Sequence, residues 1–326
     1  MECRMKTLKG LDGLLSLPHG AIVSVGNYDG VHVGHLRLLS ICRELKAASP
    51  ASPIAIVTFE PHPLTVLFPQ GAPPRLTTHQ QKHRLLAALG VDYLVELPPD
   101  QTVLNLSAED FWHVLYDRLH VAHLVEGDDF NFGKDRGGNI ARLREWAAQS
   151  SLQLHVADEV SVVLTTLHVV EVRSSLIRWL VAQGRARDAA ICLSRPYAFQ
   201  GLIVKGYQRG RAIGFPTANF DCGDQLLPAD GVYAGRCQVD GRLFPAAVSI
   251  GTLPTFGECK RQVEAYLVGF AGDLYGRTLS VDVLDWIREQ VKYPSVDALK
   301  LKLHLDVNET LCRQQSDSAR PILCTA

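Results

Sequence analysis

"GNYDGVHVGH", residues 26–35, follows the apolar run Ala21-Ile22-Val23-Ser24-Val25 and precedes Leu36-Arg37-Leu38-Leu39. A β-branched run giving way through glycines to a helical pattern reads as strand, turn and helix. In an open α/β sheet, such a junction offers free backbone N–H groups and the positive end of a helix dipole to phosphate. Gly26, Gly30 and Gly34 keep the turn uncrowded. His32 and His35, at i and i+3, project from neighbouring positions where imidazole N–H groups reach phosphate oxygens. An isolated H-x-G-H also fits core histidines, a hydrogen-bonded turn or a metal pair. A zinc site would need third and fourth ligands, and only Asp29 lies close by.

Outward from this junction, short apolar runs alternate with helical patterns through about residue 180: Ile54–Phe59, Thr78–Leu89, Tyr93–Leu97, Ala108–Leu119, Leu124–Val125, Asn139–Gln149 and Leu152–Val156. That alternation predicts a parallel sheet covered by helices. Ser107 caps one of the helices, with Glu109 and Asp110 in its first turn. Beyond Arg195-Pro196 the pattern changes to strands, Phe199–Lys205, Val232–Val239, Leu243–Ile250, Gln262–Val268 and Leu279–Leu284, as in a barrel or sandwich. Asp240-Gly241 marks a two-residue hairpin between two of them. Ser295 caps a last helix, predicted to bury Val296, Leu299, Leu303 and Val307 on one face. The boundary is expected near Leu193–Tyr197, after Gly184, which can end a helix.

At 326 residues two domains are expected. A formal net charge of −1 leaves no basic surplus for nucleic acid. Eight scattered cysteines without a C-x-x-C pair read as reduced thiols of a cytoplasmic protein. Neither a secretory core nor a membrane-spanning run is visible, so no membrane partner is expected. Self-association is left open.

Two further constellations carry chemistry. In Val172-Arg173-Ser174-Ser175-Leu176-Ile177-Arg178 two hydroxyls precede an arginine by three or four residues, so one helix start could aim all three at an anion; an ordinary serine cap with a solvated arginine is the bland reading. In Gly206-Tyr207-Gln208-Arg209-Gly210-Arg211-Ala212-Ile213-Gly214-Phe215-Pro216-Thr217-Ala218-Asn219, glycines can cradle phosphate. Thr217 and Asn219, two apart, turn hard oxygens to one side of an extended segment. A glycine-rich barrel loop with a solvated face is the alternative.

Taken in order, G-N-Y-D-G-V-H-V-G-H (26–35), T-F-E-P-H-P (58–63), R-L-T-T (75–78), L-G-V-D (89–92), G-D-D-F-N-F-G (127–133), S-S-L-I-R (174–178) and G-R-A-I-G-F-P-T-A-N (210–219) resemble the bacterial bifunctional riboflavin kinase/FAD synthetase family over nearly the whole chain. The resemblance implies an α/β fold: an N-terminal Rossmann-like nucleotidyltransferase domain (1–185), then an antiparallel six-stranded β-barrel riboflavin kinase domain (186–313) with a C-terminal helix, and a mobile tail (314–326). It implies riboflavin, FMN and ATP as substrates and Mg²⁺ as the cation. His32, His35, Ser174, Ser175 and Arg178 would serve AMP transfer to FMN, with Gly26, Asn27, Asp29, Gly34 and Asp129 around the nucleotide. Pro61, His62 and Pro63 would border the flavin. In the second half Gly206, Arg211, Gly214 and Pro216 would shape the phosphate loop, Thr217 and Asn219 would hold Mg²⁺ and phosphate, and Glu264 would be the general base. Two departures stand out: Arg173 where the family's first serine stands, and Leu253 where a polar or basic residue is common. The other readings are a single-activity enzyme with one degenerate site, and a non-catalytic flavin- or nucleotide-binding regulator.

Overall fold

The computed structural model describes residues 5–206, 209–252 and 261–318. They form two compact units: residues 5–73 with His79–Ser161, and Pro74–Thr78 with 162–318.

In the first unit, β1 (Lys6–Lys9), β2 (Ile22–Val25), β3 (Ile54–Phe59), β4 (Tyr93–Leu97) and β5 (His123–Gly127) are followed by the short pair β6 (Asn131–Phe132) and β7 (Gly138–Asn139) and by β8 (Gln153–Ala157). Six of them make one parallel sheet in the order β1-β4-β3-β2-β5-β8. Strands covered on both faces must be apolar at successive positions, and Ile22-Val23-Ser24-Val25 is buried throughout. The period-2 pleat divides it: Val23 and Val25 pack with Val57, Val95, Trp112 and Leu124, whereas Ile22 packs with Leu39, Ile54, Ile56, Leu86 and Val125 on the other face. From β2 the chain builds outward to β3 and β4 on one side and to β5 and β8 on the other. The end of β2 is therefore the switch point, the place where open α/β sheets bind ligands beyond the carboxyl ends of their strands.

At the start of the second unit's long segment β9 (Ser161–Val163) pairs with β10 (Val169–Glu171), and the helices Ser174–Ala182 and Ala186–Leu193 follow. Gly184, at φ +70°, ends the first of these helices as expected. The strands β11 (Tyr197–Val204), β12 (Ala218–Asp221), β13 (Gly231–Val239), β14 (Arg242–Thr252), β15 (Arg261–Leu267) and β16 (Thr278–Arg288) then close into an antiparallel barrel, ordered β11-β12-β15-β14-β13-β16. The barrel-or-sandwich alternative is thereby decided. Asp240 (φ +50°) and Gly241 (φ +79°) form the hairpin turn foreseen from the sequence. Residues Pro74–Thr78 belong to this unit: Leu226 N donates to Arg75 O at 2.9 Å, Gln225 Nε2 to Leu76 O at 3.0 Å, and Thr78 Oγ1 to Gln200 Oε1 at 2.8 Å.

The last helix, Val296–Ser318, has Ser295 Oγ accepting from Ala298 N at 3.2 Å. Its buried line differs from the expected one. Val296 is exposed and Leu299, Leu303 and Val307 are half-buried, while Asp306 and Thr310 are the deeply buried positions. The cause is Arg288 of β16, whose guanidinium grips the Asp306 carboxylate at 2.6 and 2.9 Å and draws a polar position to the barrel. The helix also runs on past Gln314, where the sequence pattern ends, because extending a formed helix adds a hydrogen bond per residue fixed. Residues 319–326 of the expected tail lie outside the described residues.

Candidate functional site

The turn after β2 is built against backbone preference. Tyr28 (φ +47°), Gly30 (φ +82°) and Val31 (φ +42°) all take left-handed conformations, a genuine outlier for a β-branched residue. Burial holds it there: Tyr28 and Val31 are fully covered, and Tyr28 Oη donates to Ser24 Oγ at 2.7 Å. A Cβ at Gly26 would meet the Tyr28 ring at 3.4 Å, an ordinary van der Waals contact.

His32 is the N-cap of the helix Val33–Ala48, and its backbone N–H donates to His35 Nδ1 at 3.2 Å. A backbone N–H can only donate, so Nδ1 of His35 is the accepting nitrogen and the neutral ring carries its proton on Nε2. The two imidazoles stack at 3.7 Å, and Tyr28 stacks on His35 at 4.6 Å. His35 thus presents a fixed Nε2–H donor at the start of a 16-residue helix. Gly34 lies in that helix's first turn, and Asp29 is buried in the turn before it.

Asn27 joins this turn to the loop after β3, its Nδ2 lying 3.3 Å from His62 Nε2. Its Oδ1 is buried without a hydrogen-bond partner among the described residues. The Glu60–Pro61 peptide is cis, and His62 Nδ1 accepts from Leu64 N at 3.1 Å. Pro61 is exposed and Pro63 half-buried. Just beyond, Leu64, Val66, Leu67 and Phe68 are exposed apolar side chains. Asp129 is exposed in the turn after β5, at the same strand ends as Asn27. The aromatics that follow it are core, Phe130 stacking on Phe132 at 5.5 Å.

Sequence reading missed Glu126. It is buried at the end of β5 and accepts from Val25 N at 2.8 Å, under the same turn. Burial pushes its carboxyl well above the ordinary value of 4.5, which favours the uncharged form. A folded-state value raised in this way gives stability that is present below the unfolded value and is lost as pH rises. Glu126→Gln removes that loss. Its melting temperature should gain on the unsubstituted protein with rising pH between 5 and 8, by about 2–4 °C per unit while the folded carboxyl stays protonated. Melting curves across that range check this, and a constant difference would contradict it.

Ser174, Ser175 and Arg178 belong to the second unit, at the start of the helix Ser174–Ala182. Ser174 and Arg178 are half-buried, and Arg178 Nε donates to Pro74 O at 2.9 Å. Arg173 takes the N-cap position with extended backbone and turns its guanidinium to Glu171 at 3.2 Å.

In the barrel, Asn219 of β12 stands directly opposite Glu264 of β15, and Thr217 Oγ1 donates to Glu264 Oε2 at 3.4 Å. The alternation along β15 buries Val263, Ala265 and Leu267 and leaves Glu264 half-buried on the other face. A Cβ at Gly206 would collide with the Asn219 carboxamide, which lies flat against the bare glycine. Gly214 turns at φ +91°, between exposed Arg211 and Pro216. Phe215 is pinned between Tyr266 and His304, with ring centroids at 5.3 and 5.0 Å. Ser249 pairs with Glu264 from the other neighbouring strand and accepts from Gln290 Nε2 at 2.9 Å. Neither Ser249 nor Gln290 carried any sequence signal. Leu253, with its stretch through Gly257, lies outside the described residues.

Thr217 and Asn219 supply hard oxygens, and no cluster of three His, Cys, Asp or Glu side chains occurs among the described residues. A few protein oxygens completed by water and phosphate is how magnesium is ordinarily held, so the donor set fits that ion.

Compared with known proteins, residues 15–168 match the FAD synthetase family and residues 193–312 the riboflavin kinase family. The bifunctional riboflavin kinase/FMN adenylyltransferases of Pseudomonas fluorescens and Escherichia coli (strain K12) are each 34% identical over 305 residues, covering 93% of this chain and 96% of theirs. A solved Streptococcus pneumoniae chain, described as a macrolide-efflux protein, superposes with a TM-score of 0.84 at 26% identity, covering 94% of this chain and 99% of that one. No described helix here is long and apolar enough to cross a membrane.

Proposed function

Since the chain belongs to the bifunctional riboflavin kinase/FMN adenylyltransferase family and makes FMN and FAD, we propose that its two constellations divide the steps: the barrel face around Glu264 phosphorylates riboflavin, and the histidine turn serves AMP transfer to FMN. The observation that carries the first assignment is the convergence of Thr217, Asn219 and Glu264 on one face of β12 and β15.

Glu264 accepts the proton of the ribityl 5′-hydroxyl as its oxygen bonds to the γ-phosphorus of ATP, and ADP leaves. Thr217 and Asn219 orient the phosphates and hold Mg²⁺, which when bound neutralises charge on them. Gly206, Arg211, Gly214 and Pro216 shape the loop that covers them. Asn219→Ala should raise the Mg²⁺ concentration for half-maximal FMN formation several-fold. A magnesium titration of initial rates tests this, and an unchanged midpoint would remove Asn219 from the cation site.

In the other step an FMN phosphate oxygen attacks the α-phosphorus of ATP and pyrophosphate leaves. The His35 Nε2–H, with His32 beside it, meets charge growing on the α-phosphate. The family motif also assigns Ser174, Ser175 and Arg178 to this step, and Gly26, Asn27, Asp29, Gly34 and Asp129 to the nucleotide. Pro61, His62 and Pro63 border the flavin, whose apolar ring suits the exposed Leu64, Val66, Leu67 and Phe68. Domain limits of 1–185 and 186–313 are kept as the working division of the two activities. The free cysteines Cys42, Cys192, Cys222, Cys237 and Cys312 favour a cytoplasmic setting.

A further inference from the structure

Lys82 lies on the helix His79–Ala88, one turn before Leu86 on the face that packs against the sheet, and its side chain is only 7% exposed. An apolar residue would fill that position without the cost of removing an ammonium group from water. The charge therefore asks for an explanation.

Its Nζ reaches the carboxyl ends of β2 and β3, lying 3.4 Å from Asn27 O and 3.4 Å from Glu60 Oε2. Asn27 O also accepts from Thr58 Oγ1 at 3.1 Å, and the Asn27 carboxamide meets His62. One buried cation thus spans the turn that leads to His32 and the loop that carries His62. Neither segment belongs to a regular element; Gly26 N donates to Val57 O at 2.9 Å where the turn begins, and the contacts of Lys82 and Asn27 join the two segments beyond it.

We propose that Lys82 is a positioning residue for FAD formation: through the Asn27 carbonyl and the Glu60 carboxylate it fixes the turn after β2 against the loop after β3, so that the nucleotide and the flavin phosphate meet in line. This rests on the assignment of AMP transfer to the histidine turn. Losing the tether leaves the reacting groups bound but less often aligned, so the loss falls on turnover rather than on riboflavin phosphorylation in the barrel.

Lys82→Met keeps the length of the side chain without its charge. It should lower kcat/KM for FAD formation from FMN and ATP about tenfold or more, with FMN formation from riboflavin changed less than twofold. Glu60→Gln should give the same selective loss. The double substitution should be no worse than the more damaging single one, since both cut one tether. Unchanged FAD formation in Lys82→Met, losses that multiply in the double variant, or equal loss of both activities would each overturn the proposal. Should Lys82→Met not fold, Glu60→Gln alone decides: selective loss supports the tether, and full activity overturns it. His35→Ala, assayed alongside, separates the two levels. If it retains FAD formation the underlying assignment fails; if it loses FAD formation while Lys82→Met does not, only the tether fails.

Discussion

Glu264→Gln should abolish FMN formation for practical purposes, lowering kcat by about 10²–10⁴-fold, the usual span for removing a general base. The carboxamide matches the carboxylate in size and can still accept from Thr217 Oγ1, so the pairing of β15 with β12 and β14 survives. Only the proton acceptor is lost. Riboflavin binding, followed by quenching of flavin fluorescence, should stay within a few-fold of the unsubstituted protein, and FAD formation from supplied FMN should be unaffected. Retention of both binding and turnover would sink the base assignment. Loss of binding with normal turnover at saturation would instead make Glu264 a binding group.

The second large effect falls on the other activity. His35→Ala removes the Nε2–H donor, the ring stacked between Tyr28 and His32, and the acceptor of the His32 N–H. FAD formation should drop by about 10²-fold or more, the scale found when one preorganised donor to a developing anion is deleted. FMN formation should persist at its full rate, because Glu264, Thr217 and Asn219 lie in the other unit. Parallel loss of both rates would contradict separate sites, and intact FAD formation would take His35 out of the chemistry.

Much of this was legible in the sequence because local signals agreed with the tertiary outcome. The apolar run Ala21–Val25 read as a strand of a parallel sheet, the glycines after it marked the turn, and Asp240-Gly241 marked a hairpin that the barrel kept. The convergence of Thr217 and Asn219 on Glu264 was foreshadowed by their two-residue spacing, although the partner strand lies 45 or more positions away. What stayed hidden depends on pairings that no local pattern encodes. Lys82 in H-Q-Q-K-H-R carries no local mark of burial, yet it is buried, with its Nζ at the turn after β2. Glu126 in L-V-E-G looks like the polar end of a strand until Val25 is seen to donate to it. Arg75-Leu76-Thr77-Thr78 sits within the first half of the chain, but its hydrogen bonds run to Gln200, Gln225 and Leu226 of the second unit. Periodicity likewise ranked Val296 above Asp306 on the last helix, because it cannot register the arginine waiting on β16.

The central claim is that one chain performs two consecutive ATP-dependent steps at two sites. The measurement that tests it most directly is a time course of flavins, separated by chromatography, after purified protein meets riboflavin, ATP and Mg²⁺. FMN should rise first and then give way to FAD, with Glu264→Gln blocking the first product and His35→Ala only the second. FMN accumulating without FAD, even when FMN is supplied at the outset, or no phosphorylated flavin at all, would contradict the account.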